Sequence, residues 1–184
     1  MNQIQHKNMY YIHGYLSSPD GSKGTLLKEK LGAVPIKYRD VAADQLVIRD
    51  CLNEIKKVIG DKSDVVLIGS SLGGCLVSKL VLELPDQIKQ IILLNPAVIP
   101  PEVDVSTISD MPLRILKEMK DDRFFTEKLN TKITIFSATN DKVVPPEWVL
   151  KFARFQEATV QFLDDDHRFS NHLSQLPELL TDFM

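Results

Sequence analysis

The chain has 184 residues, 43% of them hydrophobic, with a formal net charge of -3. That size and apolar content suit one domain with a sizeable buried core. The mild acidity offers no basic field to nucleic acid or an anionic membrane surface, and no apolar stretch approaches the roughly 20 residues that span a bilayer.

The start of the chain, with Asn2, Gln3, Gln5, His6 and Lys7, lacks the apolar core of a signal peptide. Two cysteines, Cys51 and Cys75, fall on apolar faces of predicted helices, outside metal or redox spacings. They read as buried reduced thiols of a soluble, cytoplasmic protein. The first predicted strand, Met9 to Ile12, ends at His13-Gly14-Tyr15. A second strand, Val34 to Tyr38, contains Pro35, which costs a ladder hydrogen bond and belongs on a sheet edge. Ile48, Cys51, Leu52, Ile55, Val58 and Ile59 recur at helical spacing, with Gly60 as the stop.

Val65 to Ile68 is an apolar strand. It runs into Gly69-Ser70-Ser71-Leu72-Gly73-Gly74 and then a helix from Leu72 to Leu84, closed by Pro85. Gly-x-Ser-x-Gly between strand and helix lifts its serine out at the top of a sheet, where a base can reach it. Ser71 has glycines at both flanking spacings, whereas Ser70 does not, so Ser71 is the candidate nucleophile. Further strands are expected at Ile91 to Leu94, Ile133 to Phe136 and Thr159 to Leu163. Helices are expected at Pro146 to Phe155 and Pro177 to Phe183. Strands alternating with helices predict an α/β fold: a three-layer, mostly parallel sheet of about six strands with helices on both faces.

If the proline-bearing second strand is the edge, the first lies between it and the third. The strand order then reverses there, and open α/β sheets bind ligands at such a switch point. The loops leaving those two strands are His13-Gly14-Tyr15 and the Ser71 turn. A serine nucleophile needs a histidine base and an acid to orient it, in the order serine, acid, histidine for this architecture. Asp141 follows the strand at Ile133, and His167 follows the last strand after Asp164-Asp165-Asp166. Both leave the same sheet edge as Ser71, and these are the candidate catalytic residues. Asn95 occupies another acid position but does not ionise; His172 is the reserve base; His6 precedes the first strand, on the wrong side. The expected oxyanion donors are the backbone N–H groups of Leu72 and Tyr15. His13 itself reads as a brace for its loop.

Three stretches carry a family resemblance: Tyr11-Ile12-His13-Gly14-Tyr15-Leu16-Ser17-Ser18-Pro19 with Ser22-Lys23 and Leu26-Leu27, then Gly69 to Gly74, then Asn95-Pro96-Ala97-Val98. The chain resembles the α/β-hydrolase superfamily and, within it, the small YqiA-like esterases, over nearly its whole length. The resemblance implies one α/β-hydrolase domain over residues 1–184. It also implies carboxylester hydrolysis by Ser71, Asp141 and His167 with no metal or organic cofactor. Where the family is expected to carry glycines before the histidine, this chain has Asp164, Asp165 and Asp166. Carboxylates favour a charged imidazole, so hydrolysis is expected to weaken at mildly acidic pH.

Residues 99–130 separate the fourth and fifth strands by more than a plain crossover needs. They hold Val103, Val105, Ile108, Met111, Leu113, Ile115, Leu116, Phe124 and Phe125. The segment is read either as helix core or as a minimal cap favouring small to medium acyl groups. The expected partner is a small-molecule ester or thioester. An acyltransferase on the same triad and a non-catalytic binding module on the same scaffold are the competing readings. A dehalogenase would need aspartate at the elbow, and no Lys-Ser/Thr follows Gly73-Gly74 as a nucleotide loop would require.

Overall fold

A computed structural model describes residues 8–184, so the expectations placed on Asn2 to Lys7, His6 included, lie outside it. Six parallel strands form one sheet in the order β2-β1-β3-β4-β5-β6. They are β1 (Met9–Ile12), β2 (Val34–Pro35), β3 (Val65–Ser70), β4 (Ile88–Leu94), β5 (Lys132–Ala138) and β6 (Thr159–Leu163). The helices are α1 (Ser22–Leu31), α2 (Ile48–Ile59), α3 (Leu72–Glu83), α4 (Leu113–Met119), α5 (Pro146–Gln156) and α6 (Leu176–Thr181). β2 is the edge, and the order reverses between β1 and β3 as the proline argument requires. No helix among the described residues is long and apolar enough to cross a membrane.

The pleat divides the core into two layers. Tyr10, Ile12, Val65, Leu67, Ile91, Leu93, Ile133 and Ile135 face one side, together with buried residues of α2, α3, α4 and α5. Their neighbours Met9, Tyr11, Val66, Ile68, Ile92, Leu94, Phe136 and Ala138 face the other, under Leu27 of α1 and Leu176 and Leu180 of α6. Successive side chains point to opposite faces, so residues 65–68 and 91–94 are apolar at every position because both faces are covered. Cys51 and Cys75 are buried free thiols, and burial pushes both up to about 11.

Some boundaries move. The second strand ends at Pro35 rather than Tyr38. After Ile36 N–H donates to Tyr11 O at 2.9 Å, β1 has turned away and leaves no further ladder. Ile36 and Tyr38 are nonetheless buried, as irregular chain over the sheet edge. β3 runs to Ser70 because Leu93 and Leu94 of β4 pair with Gly69 and Ser70. Two helices carried too little periodic signal. In α1 only Gly24 and Leu27 are buried. α4 lies inside the 99–130 segment, where Ile115, Leu116 and Met119 pack into the α2–α3 layer beside Val105 and Phe124.

Candidate active site

Ser71 sits between β3 and α3 with φ 54° and ψ −117°, a region that side-chain-bearing residues seldom occupy. Three ties hold it there: Ser71 N–H to Leu94 O at 2.9 Å, and Ala97 and Gly74 N–H groups to Ser71 O at 3.0 and 2.9 Å. The flanking glycines are needed for close approach. A Cβ on Gly73 would collide with the Ile12 carbonyl, and one on Gly69 would lie 2.5 Å from Gly73 O. The β1 loop comes equally close, since a Cβ on Gly14 would stand 3.3 Å from Ser71 Cβ and 3.9 Å from its Oγ. Ser70 is buried and points away from solvent.

On the other bank, His167 Nδ1 lies 2.7 Å from Asp141 Oδ2. Asp141 divides its oxygens: Oδ1 accepts the N–H groups of Val143 and Val144 at 2.8 and 2.9 Å, which leaves Oδ2 to the imidazole. The carboxylate only accepts, so Nδ1 carries the proton and Nε2 is left basic. The structure therefore brings Asp141 and His167 together. Among the described residues, no hydrogen bond joins Ser71 Oγ to the ring. Such catalytic contacts commonly tighten only when substrate is bound.

The other carboxylates are engaged elsewhere. Asp164 accepts from Asn140 at 2.7 Å. Asp166 accepts from the Arg168 and Ser170 N–H groups and from Ser170 Oγ. Asp165, 2% exposed, accepts from the N–H groups of Asp166, Asn171 and His172 and pairs with His172 Nδ1 at 2.8 Å. Burial by itself would raise Asp165, but these hydrogen bonds prevail and hold its carboxyl below the usual range. Asp166 is also lowered, mainly by the Ser170 hydroxyl. His172, the reserve base, is thus tied to Asp165 rather than to Asp141.

Asn95, with φ 45°, links the two banks. Its Oδ1 accepts from Ala138 N–H at 2.7 Å, and its amide donates to His167 O at 3.1 Å. Next to the Leu94 carbonyl that anchors Ser71, it ties the strand beside Ser71 to the histidine loop. Among the described residues, neither the Tyr15 nor the Leu72 N–H donates to a protein acceptor. His13 is 1% exposed, and its ring stacks on Tyr38 with centroids 4.3 Å apart. Burial lowers it to about 4, a hydrogen bond with Gly14 O opposing and the nearby Arg39 charge assisting. No group of three or more His, Cys, Asp or Glu side chains suited to a metal ion occurs among the described residues.

Tyr38, Arg39, Asn95 in its bridging part and Asp165 were not found by sequence reasoning. Each acts on backbone groups, distant in the chain for Tyr38, Arg39 and Asn95 and within seven residues for Asp165, and such partners leave no motif.

The model of the family described as "Uncharacterised protein family (UPF0227)" matches residues 8–184, and the chain belongs to that family. None of the curated proteins compared matches it in sequence. Among solved structures, it is similar to a Xanthomonas campestris pv. campestris protein assigned to the alpha/beta superfamily of hydrolases. The two share 25% identity and a TM-score of 0.65 over 96% of each chain. Est1E from Butyrivibrio proteoclasticus, solved with ferulic acid, is 18% identical with a TM-score of 0.76, over 96% of this chain and 88% of its own. A monoacylglycerol lipase from Paleococcus ferrophilus is 15% identical with a TM-score of 0.74, over 95% and 92%. The fold is that of the α/β hydrolases.

Proposed function

We propose that this member of the UPF0227 family is a serine hydrolase that cleaves carboxylic esters of small or medium acyl groups through an acyl-enzyme. The observation that carries the reading is the 2.7 Å His167–Asp141 pair, on the same sheet edge as a serine held at φ 54°. Neighbours that share the fold include a monoacylglycerol lipase and a protein with ferulic acid bound, which is in keeping with an ester substrate.

The steps follow from the groups present. His167 Nε2 takes the Ser71 proton as Oγ bonds to the ester carbonyl carbon, and Asp141 stabilises the imidazolium that forms. The carbonyl oxygen becomes an anion facing the Tyr15 and Leu72 N–H groups. Collapse breaks the bond to the alkoxy oxygen, which leaves with the proton from His167. Water then attacks the acyl-enzyme, gives its proton to the same base, and the acid departs as Ser71 recovers its hydrogen. Each oxyanion donor is worth about 3 kcal/mol in such sites.

A fluorophosphonate probe tests the reading. The expected result is labelling of the intact protein and none of Ser71→Ala, with p-nitrophenyl butyrate turned over faster than the palmitate ester. Failure to label or turn over any ester would favour a binding module. Hydrolysis of acyl-CoA, releasing CoA thiol, in place of p-nitrophenyl esters would shift the substrate class to thioesters.

A further inference from the structure

The N–H that would meet the oxyanion belongs to the Gly14–Tyr15 peptide. Glycine there lets the loop pass against Ser71, but it also frees that peptide to rotate and carry the N–H away. A peptide group is planar with its C=O and N–H opposed, so fastening the carbonyl fixes where the N–H points. Four carbonyls of this loop, those of His13, Gly14, Tyr15 and Ser17, accept hydrogen bonds, and the Tyr38 hydroxyl also lies 3.4 Å from Gly14 O itself. Gly14 O accepts from His13 Nδ1 at 2.8 Å and from Ser17 N–H at 3.3 Å. His13 O accepts the Tyr38 hydroxyl at 3.0 Å. Tyr15 O and Ser17 O both accept from Arg39 Nη2, at 2.5 and 3.1 Å.

We infer that Tyr38 and Arg39, acting with the His13 ring, are positioning residues that aim the Tyr15 N–H into the oxyanion site by holding the carbonyls on the far side of its loop. This rests on the reading of Ser71 as nucleophile. Three details fit. The Gly14 carbonyl can only accept, so His13 must carry its proton on Nδ1. Its buried, stacked ring is held neutral, in the form that carries one N–H. Hydrogen bonds into the carbonyl also polarise the peptide and strengthen its N–H as a donor. The Arg39 guanidinium has no carboxylate partner among the described residues, and its Nη1 is buried without any partner.

The test uses the full chain with Tyr38→Phe, which keeps the stacked ring and removes only the hydroxyl, and Arg39→Met with Arg39→Lys as the conservative variant. With p-nitrophenyl butyrate, kcat should fall about tenfold in Tyr38→Phe and more in Arg39→Met, with KM within about twofold, a deficit smaller than outright loss of a donor. Arg39→Lys should recover part of the loss. A trifluoromethyl ketone, whose adduct with Ser71 places an oxyanion at the same spot, should lose affinity by the factor that kcat loses. An active wild type whose variants keep kcat and ketone affinity, and lose only melting temperature, would overturn the positioning role alone. A wild type that neither turns over ester nor labels with fluorophosphonate would overturn the nucleophile reading and this inference with it.

Discussion

On the β1 side of Ser71, the loop from His13 to Ser17 is held by its carbonyl oxygens, which accept from Tyr38, Arg39 and His13. On the β5–β6 side, the loop from Asp165 to His172 is held by its N–H groups, which donate into the carboxylates of Asp165 and Asp166. A loop gripped by its carbonyls leaves an N–H free to meet negative charge. A loop gripped by its N–H groups holds the His167 backbone in place, while Asp141, from the loop after β5, meets the imidazole at Nδ1. On the proposed function, the first bank would supply the oxyanion donors and the second the proton carrier.

Exchanging Asp141, the acid that meets His167, should break the comparison most sharply. Asp141→Asn keeps an oxygen for the Val143 and Val144 N–H groups but turns an amide toward His167 and favours the wrong tautomer. The expected loss in kcat for p-nitrophenyl butyrate is about 10⁴-fold with an intact fold, checked by steady-state kinetics beside circular dichroism.

Acid should separate the banks. His13 protonates near 4 in the folded chain, against 6.5 ordinarily. The stability held by its neutral ring is complete above pH 6.5 and drains away as pH falls toward 4, up to about 3 kcal/mol. Asp165 and Asp166 are held low in the fold. Their contribution is present above the ordinary carboxylate range and goes only as pH falls through the lowered values. Melting curves from pH 7 to 4.5 should therefore show a fall in wild type that is smaller in His13→Asn. Equal falls in both would remove His13 as the acid-sensitive element.

The smallest effect belongs to the brace beneath the histidine loop. Asp165→Asn keeps one acceptor oxygen but opposes its amide to the His172 N–H and ring. It should cost about 2 kcal/mol, or roughly 6 °C in melting temperature for a chain of this length. Activity should fall with the loosened loop. Unchanged melting and unchanged kcat together would show that the carboxylates on this bank are not what holds it.

Much of this was legible from residue order. Central strands betray themselves because both faces are buried, so Val65 to Ile68 and Ile91 to Leu94 are apolar at every position. Pro35 marked the sheet edge because it cannot donate to a ladder. α1 was not legible: it buries only Gly24 and Leu27, so no apolar stripe runs along it. α4 was obscured by lying among other apolar residues that reach the same core without helical spacing. Asp141 and His167 could be named from their places after strands, yet nothing in the spelling distinguishes Asp165, the brace, from Asp166 beside it.

What the chain's order determined by itself is local: where glycine must stand for the serine turn to close, where proline ends pairing, and which runs are apolar enough to be covered on both faces. Only the folded sheet decided which distant groups meet. Tyr38 and Arg39 reach the β1 loop because β2 lies beside β1, and Asn95 reaches His167 because β4, β5 and the last loop end at one rim. Hydrogen bonds to backbone carbonyls and N–H groups depend on position and not on the partner's side chain. The residues that aim this site therefore write nothing about their partners into the sequence.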